Sequence, residues 1–188
     1  MSEPTYILKV LLLGDGAVGK TTLRERYIGR GFKTTYLMTV GADFALHKFT
    51  MEGTSIKLQI WDLAGQERFQ SVRGPFFVGA AGVICVFDVT RQESLENMRN
   101  WVEESIKNIG GVVPVVFLAN KVDLRDKESP LHISTEHGKR ALDNLMKEFS
   151  IKTPYLYYET SAKTGENVQK GFEELAMLIM RDRLSQKK

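Results

Sequence analysis

One cysteine, five prolines and no long apolar run mark this chain of 188 residues. A lone Cys85 cannot close an internal disulfide, which points to a reducing compartment. A membrane-spanning helix needs roughly 20 consecutive apolar residues, and no stretch approaches that length. The start, MSEPTYILKV, has no basic segment leading into a hydrophobic block and a cleavage site, so no signal peptide is expected. The final residues, RDRLSQKK, lack a cysteine for prenylation, so membrane association is expected only through a lipidated tail missing from this chain. Charge of one sign is missing too: 26 basic against 23 acidic residues leave a dispersed net charge of +3, which argues against nucleic-acid binding. A soluble, cytoplasmic, monomeric protein is the expectation.

What is present is a regular alternation. Short apolar runs at 6–13, 43–50, 55–61, 82–88, 113–119 and 155–158 read as strands. The tetrapeptide MEGT at 51–54 reads as a tight turn that makes the second and third strands an antiparallel hairpin. Helical periodicity covers 20–29, 93–108, 134–149 and 167–183, with a weaker pattern at 70–79. The runs VLLL, VICVF and VVFL are apolar at nearly every position, as central parallel strands covered on both sides must be. These features predict one α/β domain over residues 1–188, with a six-stranded, mostly parallel sheet, one antiparallel hairpin strand and helices on both faces.

Ligands of such sheets bind beyond the carboxyl ends of the strands. After the first strand comes GDGAVGKTT: Gly14, Asp15, Gly16, Ala17, Val18, Gly19, Lys20, Thr21 and Thr22. It satisfies G-x-x-x-x-G-K-[ST], the P-loop of nucleoside triphosphatases. Its glycines let backbone N–H groups curl around a phosphate, and the next helix aims its positive end at the same anion. Lys20 adds charge for the outer phosphates, and the Thr21 hydroxyl can ligate Mg²⁺. Chance would produce the four fixed positions in roughly 1% of chains this long, and the strand–loop–helix context makes an ordinary glycine turn a poorer reading still.

After the third strand, Asp62 can hold a magnesium-bound water and the Gly65 N–H can meet a terminal phosphate. After the fifth comes NKVD. Asp123 can accept from the N1–H and exocyclic amine of guanine, a donor pair that adenine lacks. Asn120 would brace the loop and touch the base, and the Lys121 stem would pack along its face. After the sixth comes ETSAK, where the Ala162 N–H can meet the guanine oxygen. Singly these strings are commonplace. In order, at four strand ends, they describe one ligand.

With TVGADF (39–44), KLQIWDLAGQERF (57–69) and DVT (88–90), the chain resembles a small GTPase of the Ras superfamily, Rab-like, from about residue 6 to about 183. That resemblance implies bound GTP or GDP with Mg²⁺. Thr39 would close on the metal and terminal phosphate, Phe32 would pack against the base and Tyr36 would cover the phosphates. Ser161, Ala162 and Lys163 would complete the guanine pocket, and Phe44, Trp61 and Phe76 would form an effector patch; plain core packing is the rival reading for Phe44 and Trp61. An activating protein, an exchange factor and effectors are the implied partners. Leu63 departs from the usual threonine, GPFF (74–77) from a serine-tyrosine stretch, and Pro75 is expected to shorten its helix. The segment 125–154 is several residues longer than the pattern.

Gln66 then has a task. In phosphoryl transfer the protein chiefly positions and stabilises, and an amide there accepts from the attacking water while donating to a neighbouring oxygen. Gly16 leaves room for it, and Lys20 and Thr39 complete the expected catalytic group. No arginine lies between Lys33 and Thr39, so slow intrinsic turnover is expected, on the order of 10⁻⁴–10⁻² s⁻¹, accelerated by a partner's arginine. Residues 32–41 and 63–75 should order around the terminal phosphate and loosen without it. Trp61 should report this change, with Trp101 only diluting its signal. Two alternatives are a nucleotide-binding scaffold without turnover, which Gln66, Gly16 and Thr39 oppose, and a P-loop kinase, which would leave NKVD without a role. His47, His132 and His137 share no metal-ligand spacing, and Cys85 lies in an apolar strand as a core residue.

Overall fold

Strand β1 (Thr5–Leu13) begins half-exposed and is fully buried from Val10 onward. From there its side chains alternate between two apolar layers. Leu11 and Leu13 enter one, whereas Leu8, Val10 and Leu12 enter the other. The same division runs through β4 (Gly82–Asp88), where Val83, Cys85 and Phe87 face one layer and Ile84 and Val86 the other. It continues in β5 (Val115–Asn120), with Phe117 opposite Val116 and Leu118. A strand buried on both sides cannot alternate with polar residues, which is why these three read as unbroken apolar runs.

The computed structural model describes residues 5–31 and 38–185. Its other strands are β2 (Ala42–Met51), β3 (Thr54–Leu63) and β6 (Tyr155–Thr160), giving the sheet order β2-β3-β1-β4-β5-β6. Among the described residues only β2 and β3 pair antiparallel; every other pair is parallel. Their connection is the expected tight turn: Glu52 and Gly53 both have positive φ (48° and 75°), the signature of a type I′ hairpin. Helices α1 (Lys20–Tyr27) and α6 (Val168–Ser185) cover one face through Leu23, Phe172, Leu175 and Ile179. The opposite face is covered by α2 (Gln70–Phe77), α3 (Gln92–Glu96), α4 (Met98–Ile109) and α5 (Thr135–Glu148) through Phe77, Leu95, Trp101 and Leu142. Each fully buried large apolar side chain contributes about 1.5–3 kcal/mol, so two continuous layers give the sheet a rigid frame.

Two departures from expectation and one expected shortening have local causes. β5 starts at Val115 because Pro114 has no N–H for the ladder, although its carbonyl still accepts from the Val83 amide at 3.0 Å. The helix expected over 93–108 is two, α3 and α4, joined at Asn97, whose side chain leaves the helix surface for a distant partner. Pro75 lies inside α2, which ends two residues later at Phe77 as Val78 turns extended. The start of α5 follows the sequence: Ser134 caps it, its Oγ accepting from the His137 amide at 3.1 Å.

Candidate functional site

The loop between β1 and α1 is shaped by what surrounds it. Gly19 has φ 102°, and a Cβ there would sit 2.3 Å from Asn120 Nδ2. Gly65 is crowded by backbone: a Cβ would meet the Asp15 carbonyl carbon and Gly14 O at 2.4 Å. The end of β3 therefore lies directly on the glycine loop. The first turn of α1 carries no acidic residue, so its positive end is left for an anion.

Lys20 is only 6% exposed, and its ammonium donates to the carbonyls of Gly14 and Asp15, each at 2.7 Å. Burial lowers its pKa to about 8, against the pull of Asp62 and Asp15. A buried ammonium held only by carbonyls suits an added polyphosphate. Beside it the Thr21 hydroxyl donates to Asp62 Oδ2 and lies 2.9 Å from Thr39 Oγ1. Asp62 is fully buried, burial raises its pKa, and Oδ1 has no hydrogen-bond partner among the described residues. An orphaned carboxylate oxygen beside two hydroxyls is a donor set for a hard cation that takes its remaining ligands from water and phosphate, as Mg²⁺ does.

At the other end Asn120 joins three segments. Its Nδ2 donates to Val18 O at 2.8 Å, and its Oδ1 accepts from Thr160 Oγ1 and the Ala162 amide, both at 3.3 Å. The glycine loop is thereby fixed to both loops expected to hold a base. Ser161, fully buried, donates to Asp123 Oδ1 at 2.6 Å and leaves the exposed carboxylate pointing outward. Lys121 pairs with Asp88 Oδ2 at 2.6 Å, while Asp88 Oδ1 accepts from the Thr90 amide and hydroxyl. Lys163 is exposed beside Ala162. Thr22 follows Thr21 into α1, half-buried. Phe32 and Tyr36 lie outside the described residues.

Gln66 lies over the glycine loop, since a Cβ on Gly16 would be 3.4 Å from Gln66 Cγ. Its Nε2 donates to Met38 Sδ at 2.8 Å. On the outer side of the sheet, the Trp61 ring lies 5.4 Å from Phe44 and 5.7 Å from Phe76. Phe44 is 52% exposed, which sets aside plain core packing for that residue. Trp61 and Phe76 are half-buried against the core. Cys85 is fully buried, with its thiol pushed up to about 12 by burial. His132 accepts the Asp126 amide inside its loop, and His47 packs against Tyr27. The long segment after β5 is tied to β6 at Glu159, whose Oε1 accepts from Arg125 Nη2 at 2.7 Å and Thr135 Oγ1 at 2.6 Å.

Several residues around the loop were not singled out by sequence. Asp15 Oδ1 accepts from Trp101 Nε1 and Oδ2 from Asn97 Nδ2, both at 2.8 Å. Arg91 Nη1 donates to Gly16 O at 3.0 Å. Arg73, on α2, reaches the carbonyls of Ala64 and Gln66. Trp101 thus holds a residue of the glycine loop.

The Ras family model matches residues 9–181. The human Ras-related protein Rab-8B is 39% identical over 175 residues, covering 93% of this chain and 79% of its own. Ras-related protein Rab-13 of Mesocricetus auratus is 39% identical, with 93% of this chain and 81% of the relative covered. Ras-related protein Rab-8 of Diplobatis ommata is 38% identical, with 93% and 78% covered. The family match runs from within β1 to within α6, and the chain belongs to the Ras family as a Rab-like small GTPase, a GTP-binding switch that hydrolyses its nucleotide.

Proposed function

We propose that residues 1–188 form one domain whose nucleotide site is built from the four strand ends described above. Thr21, Thr39 and Asp62 would hold Mg²⁺, Asp62 through a water; bound there, the metal would offset negative charge on the phosphates. Gly14 to Thr22 and the Gly65 amide bind the phosphates, with Lys20 neutralising the outer ones. Asp123 selects guanine, Asn120, Ser161 and Ala162 shape its pocket, and Lys121 and Lys163 flank the ring. Phe32 and Tyr36, outside the described residues, would take the base-packing and phosphate-covering roles that the family resemblance implies.

Gln66 orients the attacking water, while Lys20 and Thr39 stabilise the charge that develops on the transferred group. The reading is carried by one observation: Thr21 Oγ1 meets both Asp62 Oδ2 and Thr39 Oγ1, joining three segments at a buried, unsatisfied carboxylate. Turnover is slow without a partner because the first switch segment has no arginine, and an activating protein supplies one in trans. An exchange factor reloads the site, and effectors read Phe44, Trp61 and Phe76 in the GTP state, in trafficking-type regulation. Membrane attachment would require a lipidated tail; among the described residues no helix is long and apolar enough to cross a membrane.

Single-turnover hydrolysis by Gln66→Leu tests the assignment. A rate at least about 10-fold below wild type is expected; a rate within twofold would favour a scaffold that binds nucleotide and recruits partners without turnover.

A further inference from the structure

Arg73 is an arginine where an apolar residue would serve for packing. It lies four residues before Phe77 on the inward side of α2 and is only 3% exposed. Its Nε and Nη2 donate to Glu104 Oε1 and Oε2 of α4 at 2.9 and 2.7 Å, a two-pronged pairing in which the carboxylate is also largely buried. Its Nη1 donates to Ala64 O at 3.0 Å and to Gln66 O at 3.1 Å. The guanidinium carbon Cζ lies over the Trp101 ring, 4.4 Å from its centre, and Trp101 in turn holds Asp15 of the glycine loop.

A buried ion pair is a poor way to gain stability, because desolvation offsets most of the attraction. What this pair does secure is position. Both carbonyls held by Nη1 flank Gly65, and the second belongs to Gln66 itself. Past Leu63, where β3 ends, the Ala64 amide still donates to Gly41 O at 2.8 Å and Gln66 O accepts from the Phe69 amide at 3.1 Å, whereas Ala64 O takes its donor from Arg73. Arg73 gives Ala64 O its side-chain donor and Gln66 O a second one, and Glu104 fixes Arg73 to α4, which lies outside residues 32–41 and 63–75. Trp101 and Asn97 fix the glycine loop to the same helix through Asp15.

We propose that Arg73, held by Glu104, is a positioning residue for GTP hydrolysis: it fixes the peptide carbonyls of Ala64 and Gln66 and so aims the Gln66 side chain over Gly16. This rests on the reading of Gln66 as the water-orienting residue. Lysine cannot substitute, because a single ammonium does not span a carboxylate and two carbonyls in one plane.

The test is single-turnover GTP hydrolysis with Mg²⁺ by Arg73→Lys, Gln66→Leu and the double variant, alongside GDP dissociation. Arg73→Lys should slow hydrolysis about tenfold or more, the scale of loss that misplacing a positioned group brings, while GDP dissociates within about twofold of the wild-type rate. In the Gln66→Leu background Arg73→Lys should add less than about twofold, because both act through one side chain. A merely structural Arg73 would instead change nucleotide release, or multiply the Gln66→Leu effect. Slow Gln66→Leu with wild-type Arg73→Lys overturns this proposal alone. Wild-type hydrolysis by Gln66→Leu overturns the Gln66 reading and this proposal with it. Should Arg73→Lys fail to fold, Glu104→Gln is read by the same rules.

Discussion

Asn120 offers the most quantitative test of how the site is assembled. It is 1% exposed and joins the glycine loop to the β6 loop through one strong bond and two longer ones. Replacing it with alanine leaves Val18 O, Thr160 Oγ1 and the Ala162 amide without that partner in a dry interior. Each orphaned buried group costs about 1–3 kcal/mol. With the longer pair at the low end, the sum is about 3–5 kcal/mol. All three bonds are made by the protein alone, so the loss must register in folding as well as in binding. For a chain of this size about 1 kcal/mol shifts Tm by roughly 2–4 °C, which predicts a fall of about 6–20 °C in the nucleotide-free protein. The base loops, released from the glycine loop, should also lose affinity for GDP by about 100-fold, equivalent to about 2.7 kcal/mol. Thermal melting and competition against a fluorescent GDP analogue measure both quantities. Asn120→Asp separates the bonds: it keeps an acceptor at Oδ1 but sets a carboxylate oxygen against Val18 O, so it should be no milder than alanine. If Asn120→Ala melts within 2 °C of wild type and binds GDP within threefold, the bracing argument is wrong.

The depressed pKa of Lys20 makes binding depend on pH. A bound polyphosphate raises that pKa again, so binding takes up a proton once the free ammonium, at about 8, begins to titrate, and affinity falls as pH rises through that value. GDP should bind about fourfold more weakly at pH 8.5 than at pH 7, and an unchanged Kd across this range, by calorimetry in buffers of differing ionisation heat, would refute it. Gly65→Ala forces a methyl into the Gly14–Asp15 backbone, so the 63–66 segment must move off the loop. Hydrolysis should fall about 100-fold, the cost of roughly 1 Å of misplacement, while GDP affinity changes less than about threefold. Equal losses in both would mean that the contact supports the phosphate loop itself.

How much of this was legible in the sequence depended on how far apart the partners lie. The glycine loop is contiguous, and its strand, turn and helix are announced by adjacent residues, so Gly14 to Thr22 could be read directly. Asp62, Asn120 and Ser161 could be proposed because parallel strands bring their carboxyl ends together, which makes position after a strand informative at any separation. The same rule misses side chains that arrive from helices. Periodicity shows that Trp101 faces the core, yet nothing local says that its indole N–H ends on Asp15, 86 residues earlier. Nor does it say that Asn97 leaves its helix for the same carboxylate, which is why α3 and α4 looked like one element. Asp88 was used as a mark of resemblance, whereas its structural task is to hold Lys121 and turn the chain at Thr90. Arg73 did leave a trace, a charged residue on the inward face between Phe69 and Phe77, but its partner Glu104 is 31 residues away.

The central claim is that distant strand ends converge on one guanine nucleotide, with the Asp123 carboxylate choosing the base. Titration of the nucleotide-free chain with GDP, ADP and xanthosine diphosphate, repeated on Asp123→Asn, tests it most directly. Wild type should prefer GDP to ADP by at least about 1000-fold, since an adenine would leave the carboxylate facing no donors. Asp123→Asn should shift that preference toward xanthosine diphosphate, whose added carbonyl oxygen can accept from the new amide. Equal binding of ADP and GDP by wild type, or an unaltered preference in the variant, would contradict the account.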